Sequence, residues 1–271
     1  MPEDETRNVL VTGASGEIGS EVARRLAASG ARLALSGRRT ERLERLAAEI
    51  GTAGGAHPLV LPCDLSHPGA ATSLARRALD ELGHVDVLVN NAGSSIQGLS
   101  WVVGDREEAR SVFETNLWSP LALIAALVPA MIARGAGAVV NVGSMVRVSP
   151  FPHLGTYSAS RAALAVSSQV LDMELGPRGI RVVEVALGPV DTPASRENRL
   201  LTGADDWLDG RPGVGKVSAA AAAIVAAAEG DASGATFYPR MLRWPDRLPG
   251  LGRRYSRRMA RGADVHDETV R

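Results

Sequence analysis

The sequence has a single cysteine, Cys63, so neither a disulfide framework nor a cysteine-built metal cluster can be assembled from it. Its five histidines (His57, His67, His84, His153 and His266) show no ligand-like pairing, and no metal is expected. Charge of one sign is also missing: 30 basic residues balance 30 acidic ones. That balance excludes the basic field that general nucleic-acid binding needs, so no nucleic-acid partner is expected. The longest apolar run, residues 121–133, is too short to span a bilayer and contains Pro129, so no membrane span is expected. Residues 1–7 are polar and acidic, without the basic-then-apolar order of a signal peptide, and the expected location is cytoplasmic.

What is present reads as one globular unit. The 271 residues are 45% hydrophobic and 22% charged, ordinary values for a single α/β domain spanning 1–271. Short β-branched runs alternate with longer segments rich in Ala, Leu and Arg. The pattern predicts strands over 8–12, 32–36, 58–62, 85–90, 137–142, 181–187 and 235–238. It predicts helices over 17–29, 40–50, 68–82, about 106–134, 156–175 and 218–229, with a kink or break at Pro120 or Pro129. Repeated strand–helix–strand units require crossovers. The expected fold is therefore a doubly wound parallel sheet of about seven strands, a Rossmann fold, with helices on both faces.

The first turn reads Thr12-Gly13-Ala14-Ser15-Gly16-Glu17-Ile18-Gly19, between a strand and a helix. Glycines there allow a sharp turn and close backbone approach, and the helix N-terminus offers free N–H groups to a pyrophosphate. At the end of the second strand, where a carboxylate would read a ribose 2′-OH, stand Ser36-Gly37-Arg38-Arg39. An arginine there pairs with a 2′-phosphate, so NADP is favoured, with NAD possible.

Further along come Asn90-Asn91-Ala92-Gly93, Asn116, Ser144, Tyr157 and Leu187-Gly188-Pro189-Val190-Asp191-Thr192, each after a strand or on the following helix. The ordered set resembles the short-chain dehydrogenase/reductase family, in its single-domain branch, over about residues 8–238. The resemblance implies an enzyme acting on CH–OH or C=O groups with NAD(P). In it Tyr157 is the general acid/base, Ser144 holds the substrate oxygen, Asn116 supports a water on the proton path and Arg161 completes the catalytic set. It places the cofactor against Gly13, Ser15, Gly16, Glu17, Ile18 and Gly19, then Arg38 and Arg39, then Asp64 and Leu65 at the adenine. Asn91, Ala92, Gly93, Tyr157, Arg161, Gly188, Val190 and Thr192 complete that cofactor set. The implied substrate is a small, mostly apolar carbonyl compound or alcohol, because Met145, Val146 and Phe151 lie between Ser144 and Tyr157. Arg147 and His153 in this stretch either join the pocket or face water.

Three departures from the family pattern stand out. Glu17 takes the second glycine position of the turn, and Leu187 stands where the family has proline. Tyr157-Ser158-Ala159-Ser160-Arg161 replaces the family's Tyr, three residues, Lys. The i,i+4 spacing keeps both side chains on one helix face, and a positive neighbour favours an ionised tyrosine. Arginine, however, releases no proton at working pH. A family member that binds dinucleotide without redox turnover is therefore the alternative reading. Other expectations are a lid over 193–216, a basic amphipathic helix over 250–262 within the extension 239–271, and a homodimer or homotetramer, which the resemblance implies is paired through the helix bearing Tyr157 and the long helix before it.

Overall fold

The computed structural model describes residues 6–193, 195–196 and 214–259. Among the described residues there are seven parallel strands: β1 (Asn8–Val11), β2 (Arg32–Leu35), β3 (Leu59–Val60), β4 (Val87–Asn90), β5 (Gly137–Ser144), β6 (Ile180–Leu187) and β7 (Gly234–Tyr238), in the order β3-β2-β1-β4-β5-β6-β7. The chain runs outward from β1 to β3 and then returns to the other side of β1. The order therefore reverses between β1 and β4, and a crevice opens there at the carboxyl ends of the strands. Most of these strands are apolar throughout because both faces of the sheet are covered. Val9 and Val11 face one core with α1 (Glu17–Ala28), α2 (Thr40–Thr52) and α8 (Val217–Glu229). Leu10 faces the other core with α3 (Ala70–Leu82) and α6 (Ser119–Arg134). The expected strand 58–62 shrinks to two residues because Pro58 and Pro62 bracket it and cannot donate to a ladder.

Short α4 (Ser100–Val103) precedes α5 (Glu107–Phe113), which continues through a π turn, Glu114–Trp118, into α6. The helix does not break at Pro129. The irregularity falls before Pro120, where the wider π turn relieves the clash of the proline ring with the carbonyl four residues back. The resulting run 107–134 is long and apolar enough to cross a membrane by length and composition, with a hydropathy of 1.7, which exceeds the apolar length read from the sequence. Half of its most apolar stretch is buried within the fold, and Leu123, Leu127 and Met131 are core residues. Each such side chain contributes about 1.5–3 kcal/mol of burial.

On α7 (Gly155–Leu175), Ala165 and Ser168 face inward, so these small residues are spent on the fold itself. The outward face carries Val166, Val170 and Met173 at helical spacing, with Trp118 exposed on the π turn. Beyond β7, α9 (Arg243–Arg247) and α10 (Pro249–Met259) close the described chain. Gly252 and Ser256 of α10 are buried, so this basic helix lies against protein. The expected lid lies largely outside the described residues, as does the tail beyond Met259.

Candidate active site

The base of the glycine turn is held by uncharged groups. Thr12 Oγ1 donates to the Val89 carbonyl at 3.2 Å and accepts from the backbone N–H groups of Asn91 and Ala92 at 3.0 and 3.1 Å. The Asn91 side-chain amide donates to the carbonyls of Thr12 and Gly13, at 3.0 and 3.2 Å. Gly13 has φ +65°, and a Cβ there would sit 2.8 Å from Ala92 Cα. A Cβ on Gly19 would collide with the Gly13 carbonyl oxygen. These glycines are thus demanded by the chain's own packing. Gly16 caps α1 with no side-chain hydrogen bond, so the first-turn amides of Glu17, Ile18 and Gly19 have no side-chain acceptor. Glu17 is exposed at the first helical position.

Beside that helix end stands a cluster of like charge. Arg38 and Arg39 are exposed, and Arg39 donates to the Ser15 carbonyl at 3.0 Å. Partial burial, then the neighbouring Arg42 and Arg38 charges, hold the Arg39 guanidinium below its ordinary pKa. Ser36 is fully buried and its hydroxyl has no partner. Asp64 Oδ1 accepts from the Ser66 backbone and hydroxyl at 3.0 and 2.8 Å. Burial pushes the Asp64 carboxyl up, but the Ser66 bonds and then the Arg38 charge outweigh it and set its pKa below the usual carboxylate range. Leu65 is buried and receives a hydrogen bond from Ser119 on its carbonyl.

Tyr157 and Arg161 sit one turn apart near the start of α7, as the spacing predicts. Tyr157 is half-buried, and the Arg161 guanidinium carbon lies 5.5 Å from its ring centroid. Arg161 is 5% exposed and Nη1 donates to the Val142 carbonyl at 3.0 Å, while Nε is buried without a partner. Gly93 makes room for the other end of the fork: a Cβ there would collide with Nη2. The sequence holds a single lysine, Lys216, and it stands at the N-terminal boundary of α8. Ser144 ends β5, nearly buried, and its hydroxyl accepts from Val146 N at 3.4 Å. Gly188 and Val190 follow β6, with Gly188 N donating to the Tyr238 carbonyl at 2.7 Å and Val190 bridged to Gly215. The Thr192 hydroxyl accepts from Ser195 N at 3.1 Å.

Asn116 is tied into the protein. It lies in the π turn, wholly buried, and its amide group donates to the Ser94 carbonyl and the Ser160 hydroxyl, both at 2.9 Å. Its Oδ1 accepts from Ser94 N at 2.9 Å. Both amide hydrogens are committed, so this side chain clamps the loop after β4 to α7.

The sequence reading missed one group entirely. Glu184, in the middle of β6, is 2% exposed. Arg147, expected in the pocket or in water, is instead buried against it: Nε lies 3.1 Å from Glu184 Oε1 and Nη2 lies 2.7 Å from Asp246 Oδ1 on α9. These are ion-pair contacts without hydrogen-bond alignment, since the same atoms complete no hydrogen bond. Burial drives the Glu184 carboxyl up from 4.5 to about 7, with Arg147 opposing, Asp246 adding and Arg161 opposing. The available signal was a lone carboxylate inside the apolar strand Ile180–Leu187, where a buried charge requires a partner.

Comparison with known proteins places this geometry. The sequence profile of short chain dehydrogenases matches residues 7–201. The dehydrogenase/reductase SDR family member 7B of Bos taurus is 38% identical over 192 residues, covering 69% of this chain and 59% of the relative. This chain thus spans about three fifths of that relative's length. An uncharacterized oxidoreductase of Staphylococcus saprophyticus is 32% identical over 207 residues, covering 76% of this chain and 85% of the relative. A solved metagenomic short-chain oxidoreductase in complex with NADP superimposes with a TM-score of 0.70 at 32% identity, over 85% of this chain and 95% of that one.

Proposed function

The chain belongs to the short-chain dehydrogenase family, and from that premise we propose that it is an NADP-preferring oxidoreductase that interconverts a small, mostly apolar carbonyl compound and its alcohol. The observation that carries this reading is the pairing of Tyr157 with a buried guanidinium 5.5 Å from its ring, held at the end of β5 by the Val142 carbonyl and packed on Gly93 of the loop after β4. The residues fit a dinucleotide. The uncapped amides of Glu17, Ile18 and Gly19 suit a pyrophosphate, with Gly13, Ser15 and Gly16 alongside. Arg38 and Arg39 form an exposed cationic pair suited to a 2′-phosphate. A relative solved with NADP supports the same choice. Asp64 and Leu65 would border the adenine, while Asn91, Ala92, Gly93, Gly188, Val190 and Thr192 would line the nicotinamide end. A nucleotide held there would supply or take up the hydride.

The chain's own groups handle the proton and the position of the substrate. In reduction, Tyr157 Oη donates its proton to the substrate oxygen, and Ser144 Oγ donates a hydrogen bond to the same atom. The Arg161 charge, held by the Val142 carbonyl, stabilises the negative charge left on the tyrosine oxygen. It does this as a fixed charge, since guanidinium gives up no proton. Turnover of NADPH with a panel of ketones and aldehydes tests the reading: NADPH consumption exceeding that of NADH supports it, and none with either nucleotide refutes it. One observation favours a second reading, a nucleotide-binding protein without turnover. The Arg161 guanidinium is buried and already bonded to protein. Tight NADP binding with no turnover would be its signature. Assembly through the exposed Val166, Val170 and Met173 face of α7 and location in the cytoplasm complete the proposal.

A further inference from the structure

The charge cluster beside the serine turn takes no part in the chemistry above. The Glu184 carboxylate packs directly on Gly143, the residue before Ser144, so closely that a Cβ at position 143 would collide with Oε1. Arg147 lies three residues after Ser144, at the end of the 3-10 turn Met145–Arg147. The 3.1 Å contact between Glu184 and Arg147 therefore spans the turn that carries Ser144 and closes it from below. The far side of the guanidinium reaches Asp246 of α9 at 2.7 Å, and the guanidinium carbon stands 5.6 Å from the Phe237 ring centroid of β7. Arg147 keeps only 7% side-chain exposure and Glu184 only 2%, so neither charge is served by water.

We propose that Glu184 is a positioning residue of this active site: through Arg147 it sets the Ser144 turn, and Asp246 makes the C-terminal segment a working part of the same unit. The proposal rests on the oxidoreductase reading of Ser144 and Tyr157. A carboxylate on each side of one buried guanidinium fixes it from two directions, which a single partner cannot do. The charged groups acting on Glu184 are Arg147 from the serine turn, Asp246 from α9 and Arg161 from α7. Its neighbours in strand register, Asn141 of β5 and Ala235 of β7, carry no charge.

This arrangement titrates. Burial, the largest influence on Glu184, places its ionisation at about 7. Above that pH both carboxylates hold Arg147. Below it Glu184 is neutral, Arg147 is left with Asp246, and the serine turn loosens. Stability runs the opposite way. The folded-state value lies above the unfolded value of 4.5, so the folded protein holds this proton more tightly. The stabilisation is fully present below pH 4.5 and is lost as the pH rises through 7. Ionised Glu184 thus positions the site at a cost in stability.

The test measures thermal midpoint, kcat and KM against pH for the full chain, using NADPH and a ketone that the wild type reduces. Variants are Glu184→Gln and, should that one not fold, Asp246→Asn. The wild-type kcat should fall as pH drops below about 7, with KM for NADPH unchanged. Glu184→Gln should show no such inflection and should stay about 10- to 100-fold below the wild-type plateau. Its thermal midpoint should gain on the wild type between pH 4.5 and 7 and keep a constant lead above that. Asp246→Asn, which removes a charge that raises Glu184, should move the inflection to lower pH. An inflection that survives Glu184→Gln, or one that Asp246→Asn leaves in place, overturns the proposal alone. A wild type with no turnover on any carbonyl overturns the oxidoreductase reading and this proposal together.

Discussion

At the β1–α1 end of the crevice, Thr12 and Asn91 satisfy the glycine turn through uncharged hydrogen bonds of 3.0 to 3.2 Å. At the β5–β6 end, Arg147 is held by the charges of Glu184 and Asp246, the Arg161 charge rests on the Val142 carbonyl, and buried atoms of Arg161, Arg147 and Glu184 complete no hydrogen bond. Neutral, saturated bonds hold a fixed shape at every pH. Buried charges tie geometry to protonation and cost stability when they ionise. The proposed function asks for this division. A nucleotide is bound by backbone amides at a helix start, whereas proton transfer needs a field aimed at one oxygen.

The largest break in this contrast should come from Tyr157→Phe. It removes the proton donor and should lower kcat by about 10²–10⁴-fold while leaving NADP affinity within a few-fold, as turnover assays and calorimetry would show. Next in size is the pH response of the charged end. The rise of Glu184 from 4.5 to about 7 corresponds to about 3 kcal/mol of stability lost across that interval, readable as denaturation free energy in wild type minus Glu184→Gln. Arg38→Ala should weaken NADP binding by roughly 1.5–3 kcal/mol and barely change NAD binding, and equal affinities for the two nucleotides in the wild type would contradict it. Asn91→Ala leaves two carbonyls short of a donor and should cost roughly 1–3 kcal/mol, with no dependence on pH between 5 and 8. A pH-dependent loss there would erase the distinction between the two ends.

The same division explains how far the sequence could be read. The nucleotide end is local: a strand, three glycines and a helix start lie within Asn8–Gly19, and the turn chemistry is written in consecutive residues. The parallel sheet follows as directly, from apolar runs separated by helical ones. The charged end is assembled from β5, β6, α7 and α9, and Glu184 and Asp246 are 62 positions apart in the sequence numbering. Periodicity along the chain carries no sign of such a pairing, beyond one carboxylate in an apolar strand. Asn116 shows the converse. Its position in the motif was legible, but its commitment to Ser94 and Ser160 depends on how the π turn before Pro120 orients it.

The central claim is that a fixed positive charge at position 161, without a releasable proton, supports the chemistry at Tyr157. The rate of NADPH-dependent ketone reduction by wild type, Arg161→Lys and Arg161→Ala tests it most directly, with NADP affinity measured alongside. The account predicts turnover in the wild type, turnover retained or raised in Arg161→Lys, and a loss of about 10²-fold or more in Arg161→Ala. Wild-type turnover that survives Arg161→Ala undiminished would contradict it.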